Sequence, residues 1–286
     1  MSSTLLRAGQ PDDAAAVARI VYEAFHTIST HHNFPPDFPS VDIAHGLIDD
    51  LLARKDVYSV IAERGGRVVG SNFLWVGDPV AGVGPITIDP SAQDSSIGRA
   101  LMSDVLAHAE DMRFKSVRLV QAAYHNRSLS LYAKLGFDAR EPLSTVQGPP
   151  PNLAVPGRNV RAAVLDDVRA CQALGEQILG ADRATEFRVA VTRGTASVVE
   201  HEGRITGYTT GIGFFGHTVG VGNEDLQALI GAARSIDGPG MLLPTRNTEL
   251  LRWCLANGLR VVQPMTLMSL GEYRDPRGAF LPSVLY

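Results

Sequence analysis

The sequence predicts a mixed α/β fold in which one unit is built twice. Short β-type runs cluster in the middle of each half, and amphipathic helical stretches flank them. Residues 147–158 (Q-G-P-P-P-N-L-A-V-P-G-R) hold four prolines and two glycines, which a helix or a central strand cannot absorb. They read as a linker between a first domain, 1–146, and a second, 159–286.

Three matches recur in the same order on both sides of the linker. L-L-R-A-G-Q-P-D-D-A-A-A-V-A-R-I from Leu5 answers N-V-R-A-A-V-L-D-D-V-R-A-C-Q-A-L from Asn159. Each gives a short strand, an Asp able to cap a helix, and an amphipathic helix. The segment from Ser59, S-V-I-A-E-R-G-G-R-V-V-G, answers S-V-V-E-H-E-G-R-I-T-G from Ser197 as a hairpin. Finally, N-R-S-L-S-L-Y-A-K-L-G-F from Asn126 answers N-T-E-L-L-R-W-C-L-A-N-G-L from Asn247. Three matches in register argue for duplication of one α/β unit.

Within the first half the elements follow in order. A strand at Leu5–Ala8 leads to a helix at Ala14–His26, a loop over 29–40 and a helix at Val41–Ala53. Strands at Val57–Ala62, Arg67–Val76 and Val83–Ile88 come next. A helix at Ile97–Met112 places Ile97, Leu101 and Val105 at i, i+4 and i+8, an apolar stripe that can dock on a sheet. A strand at Ser116–Ala122, a helix at Ser128–Leu135 and a last strand after Phe137 complete the half.

The bulk properties narrow the function. The chain has 286 residues, 45% hydrophobic and 20% charged, with net charge −4. That composition is globular, and it offers no electrostatic case for nucleic acid. No stretch reaches the ~18 apolar residues of a membrane span. Cys171 and Cys254 lie far apart in apolar surroundings and read as buried thiols, which fits a reducing cytoplasm. Neither a membrane nor a metal partner is expected, and the oligomer is a monomer or a homodimer.

The chemistry concentrates in Ile86–Phe137. The apolar run I-T-I breaks at Asp89-Pro90, and a small polar turn opens directly into the helix at Ile97. The first N–H groups of a helix have no partner inside it, so this turn can cradle a phosphate. The helix near Asn126 brings an Asn, a Tyr and a Gly-Phe. Together these segments resemble the acyl-CoA-binding core of the GCN5-related N-acetyltransferases (GNAT), and the element order fits that fold over residues 1–145. The whole chain thereby resembles two GNAT-like domains in tandem.

The resemblance implies a set of roles. The family loop Q/R-x-x-G-x-G/A is read here as Gln93-Asp94-Ser95-Ser96-Ile97-Gly98, with Ser96 in place of the first Gly. The loop and the first helical turn, through Arg99 and Ala100, are expected to hold the pyrophosphate of acetyl-CoA. Asp94 is repulsive there by roughly 1 kcal/mol, and Arg99 offsets it on a similar scale. Backbone groups of Ile86, Thr87 and Ile88 are expected along the pantetheine arm and thioester. Asn126 is expected to contact the cofactor, and Tyr132 to give a proton to the leaving thiolate.

The general base is less defined. The run V-A-G-V-G-P-I-T-I has no carboxylate. His125 is expected to serve, directly or through water. Asp78 is the nearest acid, and D-P-V-A-G also reads as an ordinary turn. The loop T-H-H-N-F-P-P-D-F-P-S from Thr30 supplies His31, His32, Phe34 and Phe38 as expected acceptor contacts; both phenylalanines could equally anchor the loop to the core.

The expected activity is acetyl transfer from acetyl-CoA to the amine of a small or amino-acid-like acceptor. A non-catalytic acyl-CoA-binding module is the second expectation. The second half has no Q-x-x-G-x-G. It reads V-G-V-G-N-E-D-L from Val219, where Glu224 and Asp225 cap a helix but repel a pyrophosphate. With its tail G-E-Y-R-D-P-R-G-A-F-L-P-S-V-L-Y it resembles the C-terminal domain of bacterial tandem acetyltransferases, and it is expected to lack a cofactor.

Overall fold

The computed structural model describes residues 3–92 and 96–285. Contacts divide the chain into two compact units. Unit 1 comprises residues up to Leu119 together with His125–Leu135, and unit 2 comprises Val120–Tyr124 and Gly136 onward.

Unit 1 opens with β1 (Thr4–Ala8), α1 (Ala14–His31) and α2 (Val41–Ala53). It continues through β2 (Val57–Arg64), β3 (Arg67–Trp75), β4 (Ala81–Val83), β5 (Thr87–Ile88), α3 (Ile97–Asp111), the first part of β6 (Ser116–Ala122), whose residues from Val120 on fall in unit 2, and α4 (Asn126–Lys134). β1, β2 and β3 form an antiparallel ladder, joined between β2 and β3 at Gly65-Gly66, both with positive φ. α1 and α2 bury Val17, Val21, Ala44 and Ile48 against Ile61 and Phe73. α3 carries the expected stripe, with Ile97, Leu101 and Val105 all buried.

Two elements differ from the sequence reading. α1 runs on to His31, with Ser29 Oγ donating to Phe25 O at 2.8 Å within the helix. The run Val83–Ile88 is not one strand. β4 and β5 are separated by Gly84-Pro85-Ile86, where proline has no N–H to give to a ladder.

Unit 2 contains β7 (Asp138–Gln147), β8 (Asn159–Ala162), α5 (Val168–Leu179), α6 (Ala184–Arg193), β9 (Ser197–His201), β10 (Arg204–Thr209) and β11 (Thr218–Gly220). Then follow α7 (Asn223–Gly231), β12 (Met241–Pro244), α8 (Thr248–Ala256), β13 (Arg260–Gly271) and β14 (Ala279–Leu281). One group of strands pairs β12 and β13 on either side of β7. This pairing places β7 in unit 2, although the sequence reading closes the first domain at 146. The other sheet runs β14-β11-β10-β9-β8. Cys171 and Cys254 are free and buried in the unit 2 cores.

The repeat shows in side chains as well as in topology. Arg7 grips both oxygens of Asp13 at 2.7 and 2.8 Å and donates to Glu63 at 2.9 Å. Arg161 grips Asp167 at 2.7 and 2.8 Å and donates to Glu200 at 2.9 Å. In each unit the Asp also accepts a backbone N–H, from Gln10 or Val164, which fixes the entry into the first helix. Arginine presents a planar fork that suits this bidentate geometry.

Candidate active site

The site is built where β4 and β6 part. They pair in parallel at Ala81–Val117 and Gly82–Arg118. Beyond Gly82 the chain stays with β3: Gly84 N–H donates to Phe73 O, Ser71 faces Thr87, and Gly70 faces Ile88. Asp89 N–H then donates to Val69 O at 2.9 Å. Among the described residues no strand pairs with the other edge of Thr87-Ile88. The backbone there can satisfy a ligand as it would satisfy a neighbouring strand.

The chain next reaches α3. Gln93, Asp94 and Ser95 lie outside the described residues. Ser96 sits at the N-cap with φ 61°, a left-handed conformation that glycine adopts at no steric cost. The residue standing in for the family's first glycine therefore holds a glycine-type backbone. Among the described residues no side chain caps α3, and Ala100 donates back to Ser96 O at 3.0 Å. The N–H groups of Ile97, Gly98 and Arg99 precede it and are suited to an anion. Gly98 permits close approach: a Cβ there would stand 3.2 Å from Ile88 Cδ1 and 3.5 Å from Leu131 Cδ2.

A shallow groove of about 380 Å³ adjoins this helix start, lined by Arg99, Asn126, Arg127, Ser130, Leu131 and Lys134. Among the described residues three cations and no carboxylate line it. It brings together Arg99 and Asn126, both expected at the cofactor, with Arg127, Ser130 and Lys134, which the sequence reading did not name. Their spacing along N-R-S-L-S-L-Y-A-K puts them on one helix face, so helical periodicity was the available signal. Uncapped N–H groups beside three cations fit the pyrophosphate and phosphate groups of acetyl-CoA.

Tyr132 lies in α4, 6% exposed, and burial holds its phenol well above the usual range. At neutral pH it is a protonated O–H, as a proton donor requires. His125 caps the same helix, with Nδ1 accepting the Ser128 N–H at 2.9 Å. Neutral imidazole then carries its hydrogen on Nε2. Burial lowers the His125 pKa, with Arg127 and His32 adding to the effect. The ring is a neutral Nε2–H donor whose lone pair is committed to the helix cap, which works against its expected use as a base.

The acceptor residues separate into two groups. His31 ends α1, His32 caps it, and their rings meet edge-on at 5.0 Å. His32 is electrostatically coupled to His125, so this corner lies beside the start of α4. Phe34 is partly buried. Phe38 is 8% exposed and packs edge-on against Phe25 in the core, so its ring is spent on anchoring the loop. Asp78 is also buried, at 7%. Among the described residues no group of three or more His, Cys, Asp or Glu is placed to hold a metal, and no helix is long and apolar enough to cross a membrane.

Comparison with known proteins agrees with this geometry. Residues 21–137 match the model of the acetyltransferase (GNAT) family. A mycothiol acetyltransferase of Thermomonospora curvata is 36% identical over 93 residues, 32% of this chain and 31% of that one. The chain thus spans about a third of that relative. An IAA acetyltransferase of Azospirillum brasilense is 30% identical over 110 residues, 37% of this chain and 71% of that one. A solved structure from Pyrococcus horikoshii shares the fold, with a TM-score of 0.72 at 18% identity over 95% of this chain and 90% of its own. With the open strand edge, the uncapped helix and Tyr132 all inside the matched segment, the chain belongs to the GNAT family of acetyltransferases, which take their acetyl group from acetyl-CoA.

Proposed function

We propose that unit 1 is an N-acetyltransferase that moves the acetyl group of acetyl-CoA to the amine of a small acceptor. The observation that carries this reading is the conjunction, within one unit, of the uncapped start of α3, the open edge of Thr87-Ile88 and the buried, protonated Tyr132. The co-substrate supplies an activated acyl group as a thioester.

The chain supplies the rest. The N–H groups of Ile97, Gly98 and Arg99, with Arg99, Asn126, Arg127 and Lys134, bind its phosphates. Gln93, Asp94, Ser95 and Ser96 complete the loop. Backbone groups of Ile86, Thr87 and Ile88 align the arm, and a backbone N–H among them stabilises negative charge on the carbonyl oxygen. Tyr132 gives its proton to the departing sulfur as the C–N bond forms and the C–S bond breaks, and the proton shed by the acylated nitrogen restores the phenol. No covalent enzyme intermediate is needed. His31, His32 and Phe34 border the acceptor, and His125 Nε2–H orients it. The names of the relatives, mycothiol and IAA acetyltransferase, support a small acceptor.

The test is release of free CoA from acetyl-CoA across a broad panel of small amines. Turnover with at least one class supports the proposal. Tight acetyl-CoA binding with no turnover on any amine favours the alternative, a non-catalytic acyl-CoA-binding protein, for which the committed lone pair of His125 and the absence of a carboxylate in residues 81–88 speak.

A further inference from the structure

Backbone hydrogen bonds let the two units be matched residue by residue around the site. Gly70 faces Ile88 and Ser71 faces Thr87; Gly207 faces Gly220 and Tyr208 faces Val219. The next N–H donates back across the ladder in both units, from Asp89 to Val69 O and from Val221 to Thr206 O, at 2.9 Å each. A Cβ on Gly70 would stand 2.8 Å from Thr87 O, and one on Gly207 2.8 Å from Val219 O. Thr87-Ile88-Asp89 therefore corresponds to Val219-Gly220-Val221.

From these anchors four departures stand out. Residues 90–96 separate Asp89 from α3, whereas Gly222 alone separates Val221 from α7, so the phosphate loop has no counterpart. Asp225, the third residue of α7 and 1% exposed, sets a buried carboxylate at the helix start; it accepts from Gly222 N–H at 3.1 Å, Thr206 Oγ1 at 2.7 Å and Arg158 Nε at 2.8 Å. The N-termini of α7 and α8 are tied by reciprocal amide bonds between Asn223 and Asn247, at 3.2 and 2.8 Å. The edge of β11 that corresponds to the open edge in unit 1 is paired with β14: Thr218 with Leu281, Val219 with Phe280, Gly220 with Ala279. Phe280 and Leu281 are 8% and 2% exposed and belong to the unit 2 cores.

We infer that unit 2 is a self-filled copy: its own C-terminal strand occupies the strand edge, and the Arg158–Asp225 pair the helix start, that unit 1 leaves to acyl-CoA. β14 is an internal strap in the place of a ligand, and one chain takes one acyl-CoA. The stoichiometry rests on the proposed function of unit 1; the self-filling does not. A strand edge already paired on both sides has no N–H or C=O to offer a ligand.

The experiment is amide hydrogen exchange on the full chain with and without CoA, alongside calorimetric titration. Without ligand, 218–220 and 279–281 exchange slowly, at least about a hundredfold below unpaired amides. CoA leaves these segments unchanged and slows 97–99, and the titration reaches one CoA per chain. Leu281→Ala, a milder change than deleting the tail, speeds exchange at 218–220 and leaves 97–99 as they were. Fast exchange at 218–220 in the free protein, slowing there with CoA, or a second bound CoA overturns the inference. Absence of any CoA binding with slow exchange at 218–220 refutes the function proposed for unit 1 and still supports the self-filled unit 2.

Discussion

Two grooves of similar size adjoin the starts of α3 and α7 in the two units and carry opposite charge. The groove of about 380 Å³ in unit 1 is lined by Arg99, Arg127 and Lys134, with no acid among the described residues. The groove of about 350 Å³ in unit 2 is lined by Glu224, Asp225 and Glu249, with Arg158 and His201. The ladder pairs of β3 with β5 and of β10 with β11 match residue by residue, so that shared frame alone does not make a phosphate site. In the proposed reading, what makes it is an open helix start with cations on the next helix face, and unit 2 lacks it because a carboxylate and its own β14 stand in those places.

The helices after the grooves teach the same lesson. His125 and Asn247 are the N-caps of α4 and α8. Aligning the caps pairs Tyr132 with Cys254, the seventh residue after each. Cys254 is fully buried and its thiol is pushed up to about 12 by burial. Its S–H is a weak donor, so even an opened unit 2 lacks the phenol.

Substitutions in matched positions can break this comparison. The largest effect is expected at Asp225→Ala, which leaves Thr206 Oγ1 and Gly222 N–H without their carboxylate and Arg158 with Glu224 alone. Unfolding of unit 2 should become easier by about 3 kcal/mol, from two orphaned donors at ~1–3 kcal/mol each. Chemical denaturation reads it, and a loss under about 1 kcal/mol would deny that Asp225 seals α7. Gly98→Leu comes next. Its side chain crowds Ile88 and Leu131, and acetyl-CoA affinity should fall by about a hundredfold, or 2.7 kcal/mol. The matched Glu224→Leu, at the second residue of α7 as Gly98 is of α3, should leave affinity unchanged; equal losses in calorimetry would erase the distinction between the units.

Arg127→Glu is expected to weaken acetyl-CoA about tenfold, with the difference shrinking in high salt. A salt-independent effect would point to packing rather than charge. The smallest change is Ser96→Gly, which relieves a left-handed backbone. Thermal melting should show about 1 kcal/mol of gain or less, with affinity retained. Clear destabilisation would mean that the Ser96 side chain is itself needed.

Much of this was legible in the sequence because the signals are local. Helical periodicity placed α2 at its observed bounds, and the stripe Ile97, Leu101, Val105 faces the interior as read. The Asp near each unit's start does fix the entry into the helix, though its grip by Arg7 or Arg161 joins residues six apart and was not read. The run Val83–Ile88 read as one strand because apolar alternation cannot show where Pro85 interrupts a ladder. β14 was not legible at all: A-F-L in a tail rich in Gly, Pro and Arg becomes a strand only through pairing with β11, about 60 residues earlier. Matching Asn126 to Asn247 by residue type put the alignment one position off, since the cap in unit 1 is a histidine. Phe38 could not be assigned from the sequence, because core anchors and acceptor walls use the same residue types.

The central claim is that Tyr132 supplies the proton in unit 1 and that its buried counterpart in unit 2 does no chemistry. The direct measurement is kcat and acetyl-CoA Kd for Tyr132→Phe beside Cys254→Ala. The account predicts that Tyr132→Phe lowers kcat about a hundredfold with Kd within about twofold of the parent, and that Cys254→Ala leaves both unchanged. An undiminished kcat in Tyr132→Phe, or a loss of kcat in Cys254→Ala with stability retained, would contradict it.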